Sequence, residues 1–85
     1  MHSLTLDGST LGEKTVLHPL LARELSFPSW YGGNLDALFE CLTDVTEEVA
    51  ITLRGLDDLT PYARRVVKVL QAAAKENPHI HLHTD

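Results

Sequence analysis

Apolar and polar positions change period several times along the chain, and each change marks an element. His2-Ser3-Leu4-Thr5-Leu6-Asp7 alternates polar with apolar and stops at Gly8, which predicts a half-buried strand over residues 2–7. Gly8 to Gly12 reads as a turn. From Thr15 to Leu25, Val16, Leu17, Leu20, Leu21 and Leu25 follow helical spacing. Pro19 is expected in the first turn of that helix, where a missing amide costs little, so the start falls near Thr15 to His18. The helix ends before Pro28. Residues 26–33, Ser-Phe-Pro-Ser-Trp-Tyr-Gly-Gly, are broken by proline and paired glycines and form a loop carrying two aromatics.

Asn34 is a suitable N-cap, and Leu35, Leu38, Phe39 and Leu42 then give an apolar stripe for a short helix to about Thr43. Val49-Ala50-Ile51-Thr52-Leu53 alternates with β-branched residues and predicts a second strand, closed by Gly55. Thr60 caps the next helix with Pro61 at its first position, and Val66, Val67, Leu70, Ala73 and Ala74 supply its buried face. Asn77-Pro78 stops it. His79-Ile80-His81-Leu82-His83 is the third strand. The order strand, helices, strand, helix, strand implies right-handed crossovers and a three-stranded parallel sheet. Because each strand keeps a polar side, the expected α/β domain has two layers, with all helices packed on one face.

Composition narrows the function. The chain has 85 residues, 44% of them hydrophobic, so it forms one small globular domain over 1–85 rather than a disordered segment. Such a chain buries only about 60 to 65% of its unfolded surface. A deep enzyme cleft is therefore not expected. Twelve acidic against seven basic residues give a net charge of -5, which disfavours nucleic acid and anionic membranes and favours a basic partner. No apolar stretch suits a signal peptide or a membrane span, and Cys41 has no second cysteine to pair with, so a reducing cytoplasm is the expected location.

The charge is unevenly spread. No Lys or Arg falls between Arg23 and Arg54, whereas Glu24, Asp36, Glu40, Asp44, Glu47 and Glu48 do, so that stretch carries -6. Asp36 and Glu40 are one helical turn apart on a shared face, with Asp44 a further turn on. Asp36 either complements the helix dipole or binds a partner; Glu40 lies beyond the first turn and is either a solvated glutamate or a binding residue. Trp30 and Tyr31 either cover the small core or, with the glycines and the capped acidic helix, form an interface. A glycosidase-like acid pair is not supported, because those carboxylates face each other across a cleft. Cys41 lies among acids that raise a thiol's pKa and reads as a small buried side chain. His79, His81 and His83 share one side of a strand, and without a cysteine pair they read as surface residues, with no metal or cofactor expected.

The segment Phe27-Pro28-Ser29-Trp30-Tyr31-Gly32-Gly33-Asn34-Leu35-Asp36-Ala37-Leu38-Phe39-Glu40-Cys41-Leu42-Thr43 resembles the barstar family of ribonuclease inhibitors, and His18, Leu21, Glu24 and Leu25 match as well. The resemblance implies a barstar-like fold over nearly the whole chain. It also implies an intracellular bacterial inhibitor, not an enzyme, that plugs the active site of a small, secreted, basic, guanyl-specific ribonuclease, one to one. By resemblance, Glu40 stands where the family places the acid that enters the phosphate site, and Asp36 is the supporting acid. Trp30, Tyr31, Gly32, Asn34 and Leu35 match the contact surface of the loop and helix start, while Phe39 and Thr43 match neighbouring interface positions. Asp44 joins this expected partner-binding set from its place on the acidic helix. Three residues depart from the family pattern. Phe39 replaces a tryptophan, Glu40 replaces an aspartate, and Ala72 stands where a glutamate contact is expected. These departures make a different cognate ribonuclease, or a toxin domain, plausible. The alternative function is an immunity or interaction module that binds another basic protein without inhibiting a ribonuclease. A monomer is the favoured state.

Overall fold

The structure, a computed structural model, describes residues 2–85. Three strands, β1 (His2–Asp7), β2 (Val49–Arg54) and β3 (Ile80–Thr84), form one parallel sheet in the order β1-β2-β3. Between β1 and β2 lie α1 (Gly8–Leu11), α2 (Lys14–Glu24) and α3 (Leu35–Thr43); α4 (Pro61–Glu76) links β2 to β3. Two crossovers of the same hand that step across the sheet in one direction deliver their helices to one face. The expected two-layer arrangement follows.

Register makes that face apolar. Leu4 lies opposite Ile51 and Leu6 opposite Leu53, while Val49 and Ile51 lie opposite Ile80 and Leu82. Val49, Ile51 and Leu53 on the central strand are buried, and they meet Leu17, Leu21, Leu38, Leu42, Val66 and Leu70 from the helices. Burying each such side chain stabilises the fold by about 1.5–3 kcal/mol. The alternate positions Ser3, Thr5, Thr52 and His83 leave the other face polar.

Two local expectations are corrected. Residues Gly8–Leu11 form a single helical turn rather than an irregular one, because Leu11 is fully buried and needs the turn to reach the core. Gly8 is required there, since a Cβ would fall 2.2 Å from the Gly55 carbonyl oxygen. In α2, Pro19 is the sixth residue and not in the first turn. The helix begins at Lys14, held by Leu17 N–H donating to Glu13 O at 2.8 Å. The cost of an interior proline is moderated because Thr15, whose carbonyl loses its partner, is exposed to water, while Leu17, His18 and Leu21 on the opposite face are buried. β2 runs one residue further than the pattern indicates, to Arg54, and β3 is displaced by one, to Ile80–Thr84, which leaves His79 in the turn before it; Arg54 Nε pairs with Asp85 at 3.0 Å.

Asn77 does more than stop α4. Its buried amide donates to the carbonyls of Leu42 and Val45, both at 2.9 Å, and its side-chain oxygen accepts from His79 N–H at 3.0 Å. One side chain therefore binds a carbonyl in the last turn of α3 and another just past it, and sets the entry into β3. Beside it, the exposed Glu48 carboxylate joins His79 Nδ1 at 2.7 Å and His81 Nε2 at 3.1 Å. These hydrogen bonds hold Glu48 below the usual glutamate pKa. Replacing Asn77 with alanine removes the amide donor from Val45 O and leaves Leu42 O with Val45 N–H at 3.2 Å as its partner, and the expected loss is about 1–3 kcal/mol in urea unfolding. An unchanged midpoint would show that water replaces the amide.

Candidate functional site

Helix α3 is nine residues long and serves two surfaces. Its Asn34 cap accepts from Ala37 N–H at 2.8 Å, as the sequence predicts, which fixes where the first turn begins. Leu38, Cys41 and Leu42 then turn into the core, and Asp36 and Glu40 are left exposed on the outside. Thr43 Oγ1 donates to Glu40 O at 2.9 Å and closes the last turn. Cys41 is buried, and burial first, then Asp44 and Glu40, push its thiol pKa up. It is an inert packing residue.

The loop before α3 is anchored from three directions. Ser26 takes a left-handed φ of 55°, and Phe27 N–H donates to Ala22 O at 2.9 Å, which ends α2 and reverses the chain. Phe27 and Tyr31 then pack with ring centroids 4.9 Å apart, and Tyr31 N–H donates to Pro28 O at 3.0 Å. Gly33 has φ 68° and lies against the His18 side chain, a conformation that favours glycine. Beneath it, the buried His18 of α2 hydrogen-bonds through Nδ1 to the Tyr31 hydroxyl and through Nε2 to the Tyr62 hydroxyl of α4, the latter at 2.6 Å. A neutral imidazole donates to one hydroxyl and accepts from the other. Burial, then the nearby Lys14 charge, holds His18 below its usual pKa, and Lys14 Nζ itself sits 4.7 Å from the Tyr62 ring centroid. Burial also raises the pKa of both tyrosines, so both hydroxyls stay protonated.

The residues singled out in the sequence divide between two concavities that flank α3. Leu35, Asp36, Phe39 and Glu40 form one wall of an open groove of about 480 Å³, with Lys68, Val69 and Ala72 of α4 as the other. Asp44 does not join them. Helix α3 ends at Thr43, and Asp44, its C-cap, lines a separate pocket of about 260 Å³ together with Trp30, Cys41, Glu24 and Glu47. Trp30 is 62% exposed, an unusual position for a tryptophan with no partner over it. Tyr31 is turned inward as a support, while Gly32 and the Asn34 cap are exposed at the head of α3. Among the described residues, no ion pair involves any charged side chain of α3 or α4. Sequence reasoning missed His18 and Tyr62 as the loop's anchor, and Lys68 and Val69 as the far wall. The signal for Lys68 was its place one turn before Ala72 on the same helix face.

The His18 network carries a pH dependence of defined sign. Because the folded-state pKa is depressed, the unfolded chain takes up the proton first, near the ordinary value of about 6.5. The stabilisation is complete above that pH and is lost as the pH falls through the folded-state pKa. Protonation also makes both ring nitrogens donors, so the hydroxyl that donated to the unprotonated nitrogen must find a new acceptor. Urea unfolding from pH 7.5 down to pH 5 should show stability falling by up to about 1.4 kcal/mol per pH unit from this one proton. His18→Gln should be less stable at pH 7.5 and lack that component. An identical pH slope in the variant would remove His18 from the account.

Comparison with known proteins agrees with this arrangement. Residues 1–83 match the family described as barstar (barnase inhibitor). The chain is also 37% identical over 81 residues to a protein of Bacillus subtilis (strain 168) named "Putative ribonuclease inhibitor YrdF", a match that covers 89% of each chain. A parallel three-stranded sheet with its helices on one face, a match over nearly the full length and an acidic α3 following a glycine-containing aromatic loop lead to one conclusion: this chain belongs to the barstar family.

Proposed function

We propose that this protein is a stoichiometric inhibitor of a small, basic, guanyl-specific ribonuclease and that it works in the cytoplasm by filling the enzyme's active site. A ribonuclease must present Arg, Lys and His where it binds the phosphates of RNA. The observation that carries the reading is the pair Asp36 and Glu40, exposed on one wall of an open groove and, among the described residues, without an intramolecular cation within ion-pair distance. Like charges one turn apart cost an isolated helix a few tenths of a kcal/mol. A cationic cleft reverses that cost on binding.

Glu40 enters the phosphate site and Asp36 supports it at the helix start. Trp30, exposed at the neighbouring pocket that Asp44 lines, supplies apolar area against the rim of the cleft, as tryptophans do at interface centres. Leu35 and Phe39 are half-buried and pack under the partner's surface. Thr43 and Asn34 hold the two ends of α3 so that the acids keep their spacing. The chain performs no chemistry of its own; occupancy of the cleft is the whole mechanism. Complementary charge accelerates association, and added salt slows it by screening over about 10 Å at 0.1 M.

Titration of ribonuclease activity with the purified chain should show one-to-one inhibition of at least one member of a panel of guanyl-specific microbial ribonucleases. Glu40→Lys should weaken inhibition a hundredfold or more, about 3 kcal/mol or greater, because it places like charges together in a desolvated site. Since Glu40 is exposed, the urea midpoint should stay put. Binding to a basic protein with no effect on RNA cleavage would instead favour an interaction module of another kind.

A further inference from the structure

The groove beside the acidic helix is not uniformly acidic. Its α3 wall bears Asp36 and Glu40, whereas its α4 wall bears Lys68, with Phe39 and Val69 apolar between them. Lys68 is exposed and, among the described residues, belongs to no ion pair within 4.0 Å. Arg65, Lys68 and Ala72 follow one another at helical spacings of three and four, so the same side of α4 carries a second base one turn earlier. With Arg64, Arg65, Lys68 and Lys75 against Glu76, α4 has a net charge of +3 beside an α3 of -2. The resemblance leads one to expect an acid on this wall, at Ala72. The wall has the opposite sign.

Resting on the inhibitor reading above, we propose that Lys68 is a specificity-determining residue: it pairs with a carboxylate on the target ribonuclease, set beside the cations that receive Asp36 and Glu40. A target surface that is cationic over the whole footprint would meet Lys68 with a like charge and strip its water with nothing in return, which selects against such enzymes. A carboxylate opposite α4 removes that penalty and fixes the orientation in which the acidic helix enters. The groove thus recognises a dipole, a cation over α3 and an acid over α4. A simple net positive charge is not enough.

The two possibilities give effects of opposite sign. Binding constants are measured at low ionic strength for wild type, Lys68→Ala, Lys68→Glu and Glu40→Lys against the guanyl-specific ribonuclease that wild type inhibits most tightly. With a partner carboxylate, Lys68→Ala weakens binding about two- to fivefold and Lys68→Glu about tenfold or more, as expected for a partly exposed charge pair and its reversal. If Lys68→Glu binds as well as or better than wild type while Glu40→Lys abolishes binding, the Lys68 proposal is overturned and the inhibitor reading stands. If wild type inhibits no ribonuclease, or Glu40→Lys changes nothing, both fall. Unchanged urea midpoints for the Lys68 variants, expected for an exposed side chain, separate these outcomes from misfolding.

Discussion

A single imidazole ties together α2, α4 and the loop that leads into the acidic helix α3. His18 lies at the meeting point of α2, the loop of residues 26–34 and α4, and its two nitrogens engage tyrosines 13 and 44 residues away in sequence. A loop that ends one helix and caps the next has few backbone hydrogen bonds of its own. Held at Tyr31 from below and confined at Gly33 by contact with the His18 side chain, it delivers Asn34 to the one position from which α3 can start. An error of one residue at the cap would rotate α3 by about 100° and carry Asp36 and Glu40 away from the face they now occupy. The placement of Asp36 and Glu40 therefore depends on a hydrogen-bond network that touches neither.

The other end of α3 is fixed by equally specific means. Asn77 donates to the carbonyls of Leu42 and Val45, so the helix is clamped between a cap of its own at Asn34 and an amide from the C-cap of α4. A nine-residue helix is too short to be stable in isolation. Its rigidity comes from Leu38, Cys41 and Leu42 in the core and from these two terminal devices. Preorganisation of this kind lowers the entropy lost on association. Small size is no handicap to the proposed role, which asks the protein to fill a cleft and not to enclose one.

The strands and the longer helices were legible because each carries a clear period and ordinary punctuation: alternation in β1, β2 and β3, the Asn34 and Thr60 caps, and Pro61 at the first position of α4. Pro19 misled because proline's cost depends on whether the orphaned carbonyl is wet, and pattern alone does not show that Thr15 faces solvent while His18 is buried. Gly8–Leu11 looked like a turn because four residues are too few to display a helical period. At the site, the acids stood out through their charge and spacing. Asp44 did not stay with them because the helix ends before it. His18, Tyr31 and Tyr62 form a unit visible only once distant segments are brought together, and Lys68 resembles any solvated lysine until α3 is packed beside it.

The central claim is that the acidic face of α3 occupies the place of RNA phosphate in a ribonuclease. The most direct test is competition between this protein and guanosine 3′-monophosphate for the inhibited enzyme, followed by calorimetry at several nucleotide concentrations. Mutually exclusive binding is expected, with the apparent affinity of the protein falling in proportion to nucleotide occupancy. A ternary complex, in which nucleotide and protein bind together without loss of affinity, would contradict the account.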